Sequence, residues 1–507
     1  MSLYHSTRSR AHACSAKQAI RTGLAPDGGL FVSDALGTQK VDVDTLADKD
    51  YAAIAREVLG LLLPDYTADE IAACVDEAYT GTFASPEVTP VVDIAPVGGE
   101  GAPHAHVLEL YHGPTSAFKD VALQMLPRLM ARAQAGAGAG ERIMIVTATS
   151  GDTGKAALAG FADAPGCGIT VFYPEGKVSR VQELQMTTQA GANVAVAAVR
   201  GNFDDAQSAV KRIFADRALA DRLASAGVVL SSANSINVGR LVPQVVYYFA
   251  SYAQLLRAGA IAAGDAVEFC VPTGNFGDVL AGYYAKMLGL PVERLIVASD
   301  KNNVLFDFLT TGVYDRNRPF FTTTSPSMDI LISSNLERML YYVSDGDCEL
   351  IAGLMADLAE TGRFEVPPAL LAKIRETFAC GWADEDEVAG AIAACWRDNA
   401  YLIDPHTACG YHVMEQLPAA PGAAARVLLS TASPYKFPRA VLQALGAEVP
   451  ADDFACMRAL EEATGTTAPA QLAALEAAAV RFADVVDVPG MGAYVESAAQ
   501  RLEEAAR

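Results

Sequence analysis

Between Ile143 and Ser299 the chain alternates short apolar, β-branched runs with helix-like stretches, and this rhythm restricts its fold more than any other feature. The runs are Ile143–Thr147, Ile169–Tyr173, Val194–Val199, Val228–Ser232, Val267–Val271 and Leu295–Ser299. Helical patterns cover Lys155–Phe161, Ser179–Ala190, Asp204–Phe214 and Asp278–Leu288. Strands without polar alternation are covered on both faces, and helices returning between them make the strands parallel. A late unit, Val427–Ser430 followed by Arg439–Leu445, repeats the pattern. The helical segment Gln244–Ala263 separates two such series. The expected fold class is therefore α/β, with two open, mostly parallel-sheet domains. Residues 1–95 and 452–507 read as mostly helical and peripheral. At roughly 100–200 residues per domain, 507 residues suggest about three regions. They are a 1–95 N-terminal domain, a 96–250 first α/β region and a 251–507 second one, with discontinuity allowed.

Charge and cysteine usage narrow the function. With 38 Lys+Arg against 60 Asp+Glu the net charge is −22. Such a surface repels nucleic-acid backbones and anionic lipid heads, but leaves room for a small anion in a local pocket. No run approaches the roughly 18 apolar residues of a membrane span. The N-terminus lacks the apolar segment of a signal peptide, so a cytoplasmic protein is expected. The 9 cysteines are odd in number and include no C-x-x-C pair. The 7 histidines include no H-E-x-x-H. Neither a disulfide framework nor a metal site is expected.

In open parallel sheets, ligands sit beyond the carboxyl ends of the strands. Three turns rich in small polar residues occupy that position. Gly274-Asn-Phe-Gly-Asp278 follows the strand EFCVPT. It reads either as a phosphate-binding turn at a helix N-terminus or as a plain turn capped by Asp278. Ser150-Gly-Asp-Thr-Gly154-Lys155 fails the Walker A test, because Thr149 and Ala156 stand where Gly and Ser/Thr are needed. A turn holding a carboxylate remains. Ser430-Thr-Ala-Ser-Pro434 offers short hydroxyls, or simply a cap. Lys119, behind Phe118 in Y-H-G-P-T-S-A-F-K-D, is either a surface charge or a desolvated, nucleophilic amine.

Taken together, these segments resemble the threonine synthase family, pyridoxal 5'-phosphate enzymes of fold type II, the tryptophan-synthase β-like group. The likeness spans nearly the whole chain. It runs through Y-H-S-T-R at 4–8, G-L-A-P-D-G-G-L-F at 23–31, the Lys119 segment and T-S-G-D-T-G at 149–154. It continues through N-S-I-N-V-G-R at 234–240, P-T-G-N-F-G-D at 272–278, P-S-M-D-I at 326–330, D-P-H-T-A-C-G at 404–410 and S-T-A-S-P-Y-K-F-P at 430–438. The long N-terminal segment is like the fungal and enterobacterial branch. Ser433 departs from the His of many relatives, and no role is assigned to it.

The resemblance implies conversion of O-phospho-L-homoserine and water to L-threonine and phosphate, the last step of threonine biosynthesis, by a monomer. It implies that Lys119, preceded by Phe118, carries the cofactor. Gly274, Asn275, Phe276, Gly277 and Asp278 would hold the cofactor phosphate, and the Thr431 hydroxyl would meet the pyridine nitrogen. Ser150, Gly151, Asp152 and Thr153 match the loop for the substrate carboxylate. Ser179, Arg180, Asn234, Asn237 and Arg240, with Lys155, are candidates for the substrate phosphate, since Arg makes paired charge-assisted bonds to it. The competing expectations are a threonine dehydratase, a serine-utilising β-replacement enzyme, or a non-catalytic binder. The first two would share Lys119 and the glycine turn but need no second phosphate site.

Overall fold

The computed structural model describes residues 4–11, 13–98, 101–135, 141–149 and 151–504. Two parallel sheets carry the fold. One has five strands, in the order Asp484–Asp487, Val194–Arg200, Cys167–Pro174, Arg142–Ala148, Val228–Ser231. The other has six: Phe378–Trp382, Val292–Ser299, Ala266–Pro272, Ala423–Ser430, Ala105–Glu109, Val91–Ile94. Only Val91–Ile94, at one edge, runs antiparallel within them. Cys167–Pro174 and Val194–Val199 are buried throughout, as expected of strands covered on both faces. Two antiparallel ribbons, Tyr4–Ser6 with Phe31–Ser33 and Val313–Asp315 with Arg363–Glu365, lie outside these sheets.

The sheets do not respect the sequence division. Ala105–Glu109 lies in the 96–250 region, yet it pairs with Ala423–Ser430 of the 251–507 region. Conversely, Asp484–Asp487 adds an edge to the smaller sheet by pairing with Ala197–Arg200. The following helix, Met491–Glu504, buries Met491 and Val495 in that sheet's core. The C-terminal segment is thus a structural part of the smaller domain rather than peripheral. Its strand, D-V-V-D, is too short and acidic to be recognised from periodicity.

Helix Val238–Arg257 is buried along almost its whole length. It packs against helices Lys119–Ala135, Gly277–Met287 and Tyr51–Leu62. Apolar residues all round a helix demand such a central place. Helices Lys119–Ala135 and Asp152–Phe161 approach closely because Gly160 has no side chain: a Cβ there would lie 1.9 Å from the Leu123 carbonyl oxygen. The N-terminal segment docks through Arg8, whose Nε donates to Glu337 at 2.9 Å beside helix Leu336–Val343. No described helix is long and apolar enough to cross a membrane.

Candidate active site

Loops from the carboxyl ends of both sheets converge on Lys119. Its helix begins at Lys119 itself, and the preceding turn is pinned to the 431–433 turn. Phe118 N donates to the Thr431 carbonyl at 2.8 Å and Ser433 N to the Ser116 carbonyl at 3.1 Å. Ser116 is held at φ +56°, a conformation costing on the order of 1–3 kcal/mol. Gln471, from the C-terminal segment, donates to Ser116 Oγ at 3.0 Å and steadies it. Lys119 Nζ donates to Ser327 Oγ at 2.9 Å and lies 5.5 Å from the centre of the Phe118 ring. Burial lowers its pKa to about 8, Asp152 opposing the shift and Arg240 and Lys436 adding to it. Lys119 is therefore a buried side chain and not a surface charge.

The turn Gly274–Gly277 reaches the same centre through the 325–335 loop. A Cβ on Gly274 would lie 3.0 Å from Met328 Cα, next to Ser327. Asn275 Oδ1 accepts from Ser334 N and Oγ at 3.2 and 2.7 Å, and its Nδ2 donates to Ser235 Oγ at 2.9 Å. Helix Gly277–Met287 starts at Phe276, in the left-handed region at φ +63°, without a side-chain cap. An uncapped N-terminus beside a glycine turn is a fitting site for a phosphate monoester. Asp278, expected as a cofactor contact or cap, turns its carboxyl away. Its Oδ1 accepts from Tyr247 and Tyr248 hydroxyls at 2.6 and 3.1 Å. Burial raises its pKa to about 7, against those two hydrogen bonds. The folded protein therefore holds this proton more tightly than the unfolded chain, and the associated stability is lost as pH rises from 3.8 through about 7. Asp278→Asn should lower Tm at pH 5 but recover, relative to the parent, at pH 8.

The second cluster is cationic. Asp152 lies 2.6 Å from Lys155 Nζ and 2.9 Å from Lys436 Nζ, with all three buried. Neither ammonium makes a well-directed hydrogen bond among the described residues. Burial opposes ionisation of Asp152, but Lys155, Lys436 and Lys119 outweigh it and hold the carboxyl well below its usual range. Burial also pushes Lys155 well below the usual lysine value. Arg240 is 5% exposed and donates to the Ala233 carbonyl at 2.9 Å. Burial lowers its pKa to about 10, and it has no carboxylate partner among the described residues. Asp120, the other buried acid facing the lysines, is committed to Thr115 N and Oγ1 at 2.8 and 2.7 Å. Lys155 and Lys436 thus share one carboxylate, Asp152, and Arg240 has none among the described residues, an excess of buried cations that suits an anion.

Not every expected residue joins them. Arg180 is exposed and paired with Glu183 at 2.7 Å, one helical turn on. Ser179 caps that helix by accepting from Gln182 N at 3.2 Å. Asn237 is spent on backbone: its Nδ2 donates to the Ile20 carbonyl and its Oδ1 accepts from Gly239 N, both at 2.9 Å. Asn234 stays at the strand ends, half-buried, accepting from Thr147 Oγ1 at 3.3 Å. Gly151 packs against Gln182, and Thr153 is half-buried in the first turn of helix Asp152–Phe161. Ser150 lies outside the described residues. Thr431 is buried, one residue before the bridge between Ala432 and Ala117. Lys436 and Ser327 were not singled out as ligands by sequence reasoning. The only signal for them was their place in S-T-A-S-P-Y-K-F-P and P-S-M-D-I.

A lysine at the mouth of two parallel sheets, an uncapped glycine turn and the fold together define a pyridoxal-phosphate-dependent enzyme of fold type II. The model of the pyridoxal-phosphate dependent enzyme family matches residues 84–431. Those for the threonine synthase N terminus and C-terminal region match 3–79 and 407–495. The chain belongs to the threonine synthase family. It is 38% identical to threonine synthase of Schizosaccharomyces pombe, over 87% of this chain and 89% of that protein. It is also 38% identical to human threonine synthase-like 1, over 84% of this chain, but spans only 58% of that protein's length. The crystal structure of PLP-bound threonine synthase from Brucella melitensis superposes with a TM-score of 0.87 at 38% identity, covering 99% of this chain and 100% of that one.

Proposed function

We propose that the chain converts O-phospho-L-homoserine and water to L-threonine and phosphate with pyridoxal 5'-phosphate as cofactor. One observation supports the reading: beyond the Gly274–Gly277 turn, which suits the cofactor phosphate, Lys155 and Lys436 share the carboxylate of Asp152 while Arg240 has none among the described residues, so these cations would accept a second phosphate. A dehydratase or a serine-utilising enzyme has no use for it. When bound, the cofactor draws electrons from the substrate and makes its Cα and Cβ protons removable. The Lys119 amine takes and returns those protons, and a pKa of about 8 gives it a working fraction of free base near neutral pH. Lys155, Lys436 and Arg240 hold the γ-phosphate and stabilise the charge it carries away. The Gly151–Thr153 turn, with Ser150, takes the carboxylate. Thr431 offers the ring nitrogen a neutral hydroxyl, which leaves that nitrogen unprotonated. Water adds at Cβ once phosphate has gone.

The base must be uncharged, so kcat should rise with pH through a midpoint near 8 and then level off. Lys436→Met removes a cation that depresses Lys119, so its midpoint should lie higher. Product analysis tests the function itself. The reading requires equal amounts of threonine and phosphate from phosphohomoserine. Ammonia with 2-oxobutanoate would instead indicate a dehydratase, and no turnover a binder.

A further inference from the structure

The family segments P-S-M-D-I and D-P-H-T-A-C-G meet beside Lys119, and neither has a role in the chemistry above. Accepting Lys119 as the reactive amine, we propose that Asp404 and His406 are positioning residues that lock Ser327 with its hydroxyl oxygen facing that amine.

Asp404 caps helix Pro405–Gln416 and is fully buried. Its Oδ1 accepts from Thr407 N at 3.1 Å and from the Thr407 hydroxyl. Its Oδ2 accepts from His406 N at 3.0 Å and meets His406 Nδ1 at 2.5 Å. A carboxylate can only accept, so Nδ1 carries the imidazole proton and Nε2 is left with a lone pair. Ser327 N donates to that Nε2 at 3.2 Å. The ring is also held edge-on by Phe437, with centres 5.0 Å apart. The imidazole thus joins the buried Asp404 carboxylate to the Ser327 backbone through opposite nitrogens, and only one neutral tautomer satisfies both.

Anchored in this way, Ser327 has one proton to place. Its Oγ donates to Asp152 Oδ2 at 3.3 Å and accepts from Lys119 Nζ at 2.9 Å. The groups facing Lys119 are Ser327, Asp152, Arg240, Lys436 and the Phe118 ring. Of these, only Ser327 aims the amine through a directed hydrogen bond. An oxygen accepting from the ammonium favours the charged form. Ser327 therefore tempers the effect of burial on Lys119 and returns the amine to one place after each proton transfer.

Two readouts on the full chain test this without turnover. The ¹⁵N shifts of the His406 ring, assigned by their loss in His406→Gln, should report the neutral Nδ1–H tautomer. The Nε2–H tautomer would overturn the proposal. In the full chain freed of cofactor, the pH midpoint for acylation of Lys119, followed by peptide mass mapping, should fall by about one unit in Ser327→Ala. His406→Leu should move it the same way and add nothing in the double variant, whereas His406→Gln, which keeps an acceptor, should restore it. An unchanged midpoint in Ser327→Ala, or full additivity in the double variant, would also overturn it. Should His406→Leu not fold, the tautomer and the Ser327→Ala midpoint decide alone. Failure to release phosphate from phosphohomoserine would refute the proposed reaction and leave these readouts untouched.

Discussion

Lys119→Ala is expected to reduce turnover by about 10²–10⁴-fold or more, the range for loss of a positioned acid–base group. It should also abolish covalent attachment of the cofactor. The fold should survive, because burial already disfavours the Lys119 charge, and Asp152 keeps Lys155 and Lys436 as partners. An activity loss with an unchanged Tm would place the defect in chemistry. Borohydride treatment of the cofactor-loaded parent followed by peptide mapping should mark Lys119. Lys155 and Lys436 are the rival amines, being buried in the same cluster. They face Asp152, whereas Lys119 alone of the three faces Ser327 and the Phe118 ring. A label on either rival would contradict the assignment.

The second large effect belongs to the cationic cluster. Arg240→Ala and Lys436→Met should each lower kcat/KM for phosphohomoserine by roughly 10- to 150-fold, the equivalent of a charge-assisted hydrogen bond of about 1.5–3 kcal/mol. Cofactor occupancy should persist in both, since the Gly274–Gly277 turn is separately held by Ser235, Ser333 and Ser334. Inorganic phosphate should inhibit the parent competitively and both variants more weakly. An Arg240→Ala protein with unchanged efficiency and unchanged phosphate inhibition would remove that residue from the site. Arg180→Ala, by contrast, should leave efficiency unchanged, because its guanidinium is exposed and satisfied by Glu183.

How much of this was legible in the sequence depended on range. The strands from Ile143 to Ser299 stood out because both their faces are apolar, a property of the strand alone. The Gly274 turn was readable because a glycine pair between strand and helix is local. Arg180 lies apart from the cluster, exposed and paired with Glu183, an i,i+3 partner that the sequence already offers. Asn237 looked free to bind phosphate because the Ile20 carbonyl it serves is remote in sequence. Lys436 and Ser327 come beside Asp152 and Lys119 only because the 116–119 turn, the 431–436 turn and the 325–330 loop meet in space. No periodicity encodes that meeting. Asp484–Asp487 went unrecognised for the same reason, since an edge strand gains its identity from the neighbour it pairs with.

In the proposed reaction phosphate leaves by elimination and water enters at carbon, with Lys119 moving the protons. Turnover of O-phospho-L-homoserine in H₂¹⁸O by the cofactor-loaded protein tests it most directly, with mass analysis of both products. One ¹⁸O should appear in the hydroxyl of threonine and none in the released phosphate. Labelled phosphate with unlabelled homoserine would mean simple ester hydrolysis at phosphorus and would contradict it.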